Sequence, residues 1–413
     1  MREQRTQMRE MAETLVSFPS YPGDEEPVQR WLYDRLEDLG FQTYEWEPDT
    51  DLLASHPSFP PIDTLELENR PSIGGVLELG DPNDGPTIVL NGHADVVPVA
   101  ENEWTSDPFE ARWEDGRLYG RGALDMKSGL VACIFAALSV YEQSDGLDGR
   151  IVVESVVGEE EGGIGAATAA GNNPYPFERD AVLIAEPSDF NITVAAEGCL
   201  MKCLTIYGKS AHAARTWEGE SVLPHVERIR RAFTDHEQER AERVTHPLYE
   251  EFDNPWPVNF GTVHAGNWAS SVPAELTSEI RIGVAPHETV REVESEYQQR
   301  LKQVIEESEW LSSHPPAFER FSVQFEGSEV ARDEPIVKSL AQTMREHGID
   351  PEYEGFTGGT DARHYLEAGI PTVVFGPGAL DIAHQPDECI EWNGVIEASE
   401  IIADTVESYL TAF

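Results

Sequence analysis

The chain has 413 residues, 77 of them acidic and 29 basic, which gives a formal net charge of −48 at pH 7. This charge disfavours nucleic acid as a partner, and its self-repulsion destabilises a compact fold in dilute salt. Molar salt shortens the Debye length to about 3 Å and screens the repulsion. The acidic residues are spread along the chain rather than gathered in a tail, and only five lysines are present. The composition therefore favours a cytoplasmic protein of an extreme halophile.

The first residues are charged and contain no apolar signal core, and no apolar run is expected to approach the length of a membrane span. We therefore expect no membrane partner. The four cysteines form no Cys-x-x-Cys motif and lie in apolar or strand-like surroundings, so buried free thiols are expected.

Hydrophobic periodicity predicts the elements of the first half in chain order. Helices are predicted over residues 4–15, 27–39 and 130–138, and strands over 41–46, 73–79, 87–90 and 151–157. Residues 49–69, rich in Pro, Asp and Ser, are predicted to form the longest loop.

After residue 186 the pattern changes to strands over 200–207, 258–263, 275–284 and 321–325, with helices over 223–243 and 290–310. This βαββαβ order predicts a small sheet covered on one face by two helices. A helix over 336–347 and a strand over 371–375 then resume the first pattern. The predicted fold class is α/β: a mixed, mostly parallel sheet flanked by helices in residues 1–197 and 328–413, with an α+β domain inserted over 198–327.

Five segments carry residues that bind metals or move protons. The first is His93-Ala-Asp95, which follows an apolar strand. Residues i and i+2 of an extended segment point to one side, and a carboxylate often fixes the tautomer of a metal-binding imidazole. Taken alone, a polar loop explains this segment equally well.

The other four segments also offer carboxylates or a histidine. They contribute Asp125 before a buried helix, three glutamates at 159–161 after a strand, Glu186 at another strand end, and His384 near the C-terminus. Alternatives remain for each on its own, such as a helix N-cap at Asp125 or a solvated acidic loop at 159–161. Together they place nitrogen and carboxylate donors where the active sites of open α/β sheets lie, a donor set that suits zinc.

With its five motifs in order over nearly the whole length, the chain resembles the family of co-catalytic zinc hydrolases that contains aminoacylase, acetylornithine deacetylase, succinyl-diaminopimelate desuccinylase and glutamate carboxypeptidases. The resemblance implies two Zn²⁺ ions, with Co²⁺ or Mn²⁺ as alternatives. One ion would be held by His93, Asp125 and Glu186, and the other by Asp125, Glu160 and His384.

The resemblance also implies that Glu159 is the general base and Asp95 the partner of His93. Gly158 stands where the family usually has an aspartate. This leaves the register of the three glutamates open between Glu159–Glu160 and Glu160–Glu161, and the spacing to Gly162 favours the first.

In the family the inserted domain is a lid that often forms a homodimer. His212 matches the family's lid histidine, which would stabilise the oxyanion in its own or the partner's site. Ser270 stands where many relatives have an asparagine that clamps the substrate. Gly359 and Arg363 belong to a further lining segment, in which Arg363 either binds a substrate carboxylate or pairs with Asp361.

The implied reaction is hydrolysis of an amide bond, namely deacylation of a small N-acyl amino acid by a zinc-bound hydroxide with Glu159 as base. A dipeptidase or carboxypeptidase acting on short peptides is the first alternative. A metal-free binding protein on the same fold is the second.

Overall fold

The computed structural model describes residues 2–143 and 145–412. The α-helices are α1 (Arg2–Val16), α2 (Glu26–Asp38), α3 (Thr50–Ser55), α4 (Ser128–Glu142), α5 (Ile164–Gly171), α6 (Leu223–Arg243), α7 (Val290–Glu306), α8 (Glu309–Ser313), α9 (Pro335–Glu346), α10 (Ala362–Glu367) and α11 (Trp392–Thr411). The strands are β1 (Gln42–Trp46), β2 (Ser72–Leu79), β3 (Thr87–His93), β4 (Arg112–Glu114), β5 (Arg117–Tyr119), β6 (Gly149–Val156), β7 (Ala181–Ile184), β8 (Ile192–Ala196), β9 (Gly198–Tyr207), β10 (Val258–Phe260), β11 (His264–Ala265), β12 (Glu275–Val284), β13 (Ala317–Arg320), β14 (Ser328–Glu329), β15 (Tyr353–Phe356), β16 (Thr372–Val374) and β17 (Cys389–Glu391).

The largest sheet is mixed and has the order β1-β2-β6-β3-β7-β16-β8-β14, with β15 beside β8. Its centre is parallel, because β3 pairs in parallel with both β6 and β7, and β7 pairs in parallel with β16. Strands β3, β6 and β7 are buried along their whole length, as expected for parallel strands covered on both faces. The α/β class predicted from the sequence is confirmed.

The second sheet is antiparallel, with the order β10-β12-β9-β13 and β11 beside β12. Alternate residues of β9 and β12 are buried and pack with the apolar faces of α6 and α7 in a separate core. We call β9 to β13 with their helices the lid. Its element order contains the expected βαββαβ pattern and adds β11 and α8. The domain limits predicted at residues 198 and 327 stay a prediction. The chain enters the lid sheet at β9 and returns to the main sheet at β14.

Helix α4 corrects one expectation. Residues 123–142, an irregular turn with non-helical backbone angles at Asp125 and Met126 followed by α4, have a mean hydropathy of 1.6 over their most apolar window and are long and apolar enough to cross a membrane. The expectation that no run approaches that length is therefore wrong. The same window is 83% buried within the protein, where α4 packs against α11 and β3, so its apolar character is explained by the core.

Three local predictions were also wrong. The last lid strand is 317–320 rather than 321–325, because Phe318 pairs opposite Leu204 and packs on the lid core. The predicted loop over 49–69 contains α3, which Asp49 caps by accepting the Leu52 N–H. The helix predicted over 290–310 ends at residue 306, and Ser308 caps a separate short helix. The four cysteines are free, three of them buried and Cys203 partly exposed.

Candidate metal centre

Sheet order brings the candidate ligands together. His93 is the last residue of β3, the three glutamates at 159–161 follow β6, and Glu186 follows β7. Since β6 and β7 flank β3 in parallel, these three segments leave the sheet at one edge. This is the edge at which open α/β sheets build their sites.

The first ligand group contains His93, Asp125 and Glu186, all buried. Nε2 of His93 lies 3.2 Å from Oδ1 of Asp125 and 3.6 Å from Oε1 of Glu186. Burial alone would lower the pKa of His93, but the surrounding carboxylates raise it well above its usual range. One imidazole nitrogen and two carboxylates thus converge on one point.

The second ligand group contains Asp125, Glu160 and His384. Nε2 of His384 lies 3.1 Å from Oδ2 of Asp125 and 3.2 Å from Oε1 of Glu160. Hydrogen bonds with these two carboxylates raise the pKa of His384 to about 10. Asp125 therefore turns one carboxylate oxygen toward each group, which is the arrangement expected of a bridging ligand.

The donor set fits divalent cations. Two imidazoles and three carboxylates form the two groups, and within each group the ligand atoms lie within 4.8 Å of one another. Burial and the neighbouring carboxylates raise the pKa of Glu186 and of Glu160. Cations among them would relieve this repulsion, and nitrogen with carboxylate donors suits zinc and its neighbours in the first transition series.

Asp95 has a contact that the sequence did not suggest. Nδ1 of His93 is 3.0 Å from the backbone carbonyl of Asp95 and 3.6 Å from its carboxylate. The carboxylate instead accepts the backbone N–H groups of Glu159 and Glu160, at 3.3 and 3.1 Å. Asp95 therefore orients the loop of glutamates as well as the imidazole.

Glu388 and Arg121 also support the site, although sequence reasoning missed both. Glu388 accepts the backbone N–H groups of Leu124 and Asp125 at 2.9 and 3.2 Å, and it forms a buried ion pair with Arg121. Arg121 also donates to the backbone carbonyl of His384 at 3.2 Å. In the sequence, the only indication that Glu388 and Arg121 support the site was their position within the two motifs that contain His384 and Asp125.

Glu159 belongs to neither ligand group and lines a neighbouring cavity of about 520 Å³. Burial raises the pKa of Glu159 well above its usual range, and the charges of Asp361 and Glu186 raise it further. Glu161 also lines this cavity, but its carboxylate is engaged by Arg70, whose Nη1 donates to it at 2.7 Å. These contacts favour the register Glu159–Glu160.

The geometry of this loop explains the glycine at position 158. Gly158 has a φ of +68°, and a Cβ there would lie 3.1 Å from the Arg70 guanidinium. An aspartate would therefore be strained at this position and would crowd the arginine that holds Glu161.

Arg363 and Gly359 line the same cavity as Glu159. Arg363 is buried, lies over the ring of Phe325 at 4.3 Å, and donates from Nη1 to the carbonyl of Thr360 at 2.6 Å. A Cβ on Gly359 would lie 2.4 Å from the Phe325 ring. Among the described residues, Nε and Nη2 of Arg363 have no hydrogen-bond partner, and neither carboxylate oxygen of Asp361 has one. The expected alternative of an Arg363–Asp361 pair is therefore not formed.

His212 and Ser270 lie beside each other in the lid, where the N–H of Ala213 donates to the Ser270 carbonyl at 2.9 Å. Both are exposed, and Nδ1 of His212 accepts the N–H of Ala214 at 3.1 Å. Neither is among the described residues that line the cavity beside Glu159. Arg281, a further lid arginine, donates twice to Glu197 at 3.1 Å.

A family model described as peptidase family M20/M25/M40 matches residues 89–408. The chain belongs to peptidase family M20. It is therefore an enzyme of a metallopeptidase and amidohydrolase family, as the sequence predicted.

Two curated relatives span nearly the whole chain. One is the N-formyl-4-amino-5-aminomethyl-2-methylpyrimidine deformylase of Bacillus subtilis (26% identical, 98% of this chain and 95% of the relative). The other is the succinyl-diaminopimelate desuccinylase of Methylobacterium radiotolerans (28% identical, 97% and 96%).

Two solved structures share the fold. One is an M20 family metallo-carboxypeptidase from Sulfolobus solfataricus (16% identical, TM-score 0.76, all of both chains). The other is a Bacillus subtilis protein described as a dinuclear metal binding peptidase from the M20 family (15% identical, TM-score 0.64, 100% of this chain and 99% of that one).

Proposed function

We propose that the protein hydrolyses the amide bond of an N-acyl amino acid that carries a free carboxylate. Two divalent ions, proposed to be zinc, would be held by His93, Asp125 and Glu186 and by Asp125, Glu160 and His384. When bound, such a pair polarises the substrate carbonyl and lowers the pKa of water.

Glu159 is proposed to move the proton. A buried carboxyl group with a raised pKa takes a proton from the attacking water and later gives it to the leaving nitrogen. The contacts of Asp95 with the Glu159 and Glu160 amides hold this carboxyl beside the ligand groups.

One observation carries the carboxylate preference: Glu159 and Arg363 line the same cavity, and Arg363 keeps two guanidinium nitrogens without partners among the described residues. A guanidinium binds a carboxylate through two parallel hydrogen bonds. Its burial leaves little water to compete, and a cavity of about 520 Å³ suits a small ligand.

The lid is proposed to close over this cavity. His212 is exposed and outside the cavity, so it can reach a developing oxyanion only by movement of the lid or from the lid of a second subunit in a homodimer. Ser270, beside it, would then replace the asparagine clamp.

A peptidase acting on dipeptides or short peptides is the second candidate, because a peptide C-terminus presents the same carboxylate to Arg363 and the solved neighbours include a metallo-carboxypeptidase. A deformylase of an aminopyrimidine would need no carboxylate anchor.

The test uses metal-reconstituted enzyme in molar KCl with N-acetyl and N-succinyl amino acids, their C-terminal amides, dipeptides and an N-formyl aminopyrimidine. We expect the acids to exceed their amides in kcat/KM by about tenfold to a hundredfold, the value of one charge-assisted contact. Arg363→Ala should abolish this difference. Arg332→Ala, which removes an exposed arginine stacked on Tyr353, is the control and should preserve it.

Faster turnover of dipeptides than of N-acyl amino acids would favour the peptidase. A mutant that still discriminates between acids and amides as the wild type does would make Arg363 structural. Turnover of the formyl pyrimidine alone would overturn the carboxylate preference.

A further inference from the structure

A separate cluster of side chains that could bind a metal lies beside Gly162, directly after the three glutamates. His56, His364 and Glu367 each offer one ligand atom, and these atoms lie within 4.8 Å of one another. His364 and Glu367 are three residues apart in α10 and so share one face of that helix. His56 follows α3, and its Nε2 is 3.3 Å from Oε2 of Glu367. None of the three belongs to the ligand groups described above.

The buried member, His364, has one ring nitrogen available for a metal. Its Nε2 donates to the backbone carbonyl of Gly162 at 2.9 Å, so the lone pair of the neutral ring is on Nδ1. Burial and the nearby Arg363 charge lower the pKa of His364 well below its usual range, so protons do not compete for that lone pair. Metal-binding histidines commonly donate their other ring N–H to a carbonyl in this way.

His56 and Glu367 form the accessible half of the cluster. Nδ1 of His56 accepts the Ser58 N–H at 3.2 Å, so Nε2 carries the ring proton and faces Glu367. A cation that binds Nε2 would shift the ring proton to Nδ1, so the ring would stay neutral and release no proton. The long hydrogen bond from the Ser58 N–H to Nδ1 would then be lost. The Glu367 side chain is 61% exposed, which leaves the cluster open to an ion from solvent.

We propose that His56, His364 and Glu367 form a third metal site, which binds a divalent transition metal such as zinc or cobalt. Two imidazole nitrogens and one carboxylate select these metals over calcium and magnesium, which prefer oxygen ligands. Three protein ligands leave a fourth position for water.

An ion at this site would connect two walls of the substrate cavity. Helix α10 carries Arg363, and the segment after His56 supplies Pro60, Thr64 and Leu65 to the cavity lining. A bound ion would tie the two together without touching Glu159. We therefore expect it to change KM more than kcat, so that the cavity responds to the concentration of free metal.

The experiment measures metal content and Co²⁺ absorption on the full chain in molar KCl, during titration with Co²⁺ alone. The wild type should bind three equivalents per chain. His56→Ala and Glu367→Ala should each bind two, with kcat at two equivalents unchanged and the third affinity at least about tenfold weaker. His347→Ala removes a histidine that pairs with Asp404 at 2.7 Å elsewhere, and this control should bind three.

A His93→Ala variant separates this inference from the proposed catalytic pair, because it should weaken binding at that pair and keep the His56-dependent ion. Circular dichroism would show that each variant is folded. Two equivalents in the wild type up to about millimolar Co²⁺ would overturn the third site. So would a third ion that survives both His56→Ala and Glu367→Ala.

Discussion

Replacing Glu159 by glutamine isolates the proposed proton transfer. Glutamine keeps the shape of the side chain, and Glu159 belongs to neither ligand group, so both ions should remain bound. The loop itself should hold its place, because Asp95 accepts its backbone N–H groups and Arg70 holds Glu161. Only the ionisable group is lost. We therefore expect kcat to fall by about a hundredfold to ten-thousandfold, or roughly 3–5 kcal/mol in activation free energy.

The assay pairs turnover with metal content by mass spectrometry on the same sample of Glu159→Gln. Glu161→Gln is the matched control: it neutralises the neighbouring carboxylate that faces Arg70 and should reduce kcat by less than about tenfold. In metal-free protein, Glu159→Gln should be at least as stable as wild type at neutral pH. The reason is that a carboxyl with a raised folded-state pKa costs stability above its unfolded pKa. A mutant with normal turnover, or a larger loss in Glu161→Gln, would refute the assignment of the base.

Two further expectations concern salt and pH. With a net charge of −48, the protein should lose structure cooperatively as KCl is diluted below molar concentrations, and added divalent metal should partly restore the structure. Circular dichroism would measure this loss. Full stability in dilute buffer would contradict haloadaptation. Because the pKa of Glu159 is raised and the base must be deprotonated, kcat/KM should fall with decreasing pH at a value above the usual glutamate pKa of about 4.3. The pH at which kcat/KM falls should not depend on metal concentration if Glu159 is the group responsible. It should depend on metal concentration if the fall is caused by protonation of His93 or His384.

The ligand groups could be anticipated from the sequence because their positions depend on a simple property of the sheet. Apolar runs identified β3, β6 and β7, and a polar residue after each parallel strand must leave the sheet at one edge. His93, Glu160 and Glu186 satisfy this rule, and β3 lies between the other two strands. Their convergence follows from strand order, which the structure supplies; periodicity located the strand ends, and the family resemblance supplied the ligand sets.

The lid residues could not be placed in the same way. The position of His212 relative to Glu159 depends on how the lid is oriented about two short connections, and no periodicity reports that angle. The junction is held by contacts between distant residues, such as Arg281 with the buried Glu197. The incorrect prediction of a strand over 321–325 also arose because sequence pattern does not show which core a residue joins. Phe325 is apolar, but it stacks on Arg363 in the cavity instead of packing in the lid core.

Long-range ion pairs were equally invisible in the sequence. Arg70 is fully buried, pairs with Glu25, and reaches across 91 residues to Glu161. The Arg70 guanidinium lies close to the backbone at position 158 and leaves little room for a side chain, which favours a glycine there. The fit of a glycine at position 158 thus depends on a contact with a residue elsewhere in the chain.

The contacts of Asp95 suggest why the two ligand groups should act as one unit. Its carbonyl accepts from His93, a ligand candidate of the first group, and its carboxylate holds the amides of Glu159 and Glu160, the second of which belongs to the other group. Asp125 joins the groups directly, and Glu388 fixes the Asp125 backbone. A displacement of one group must therefore strain the other through two independent connections. All of these connections lie outside the lid, so the proposed closure of the lid would add groups to the site without rebuilding the proposed metal pair.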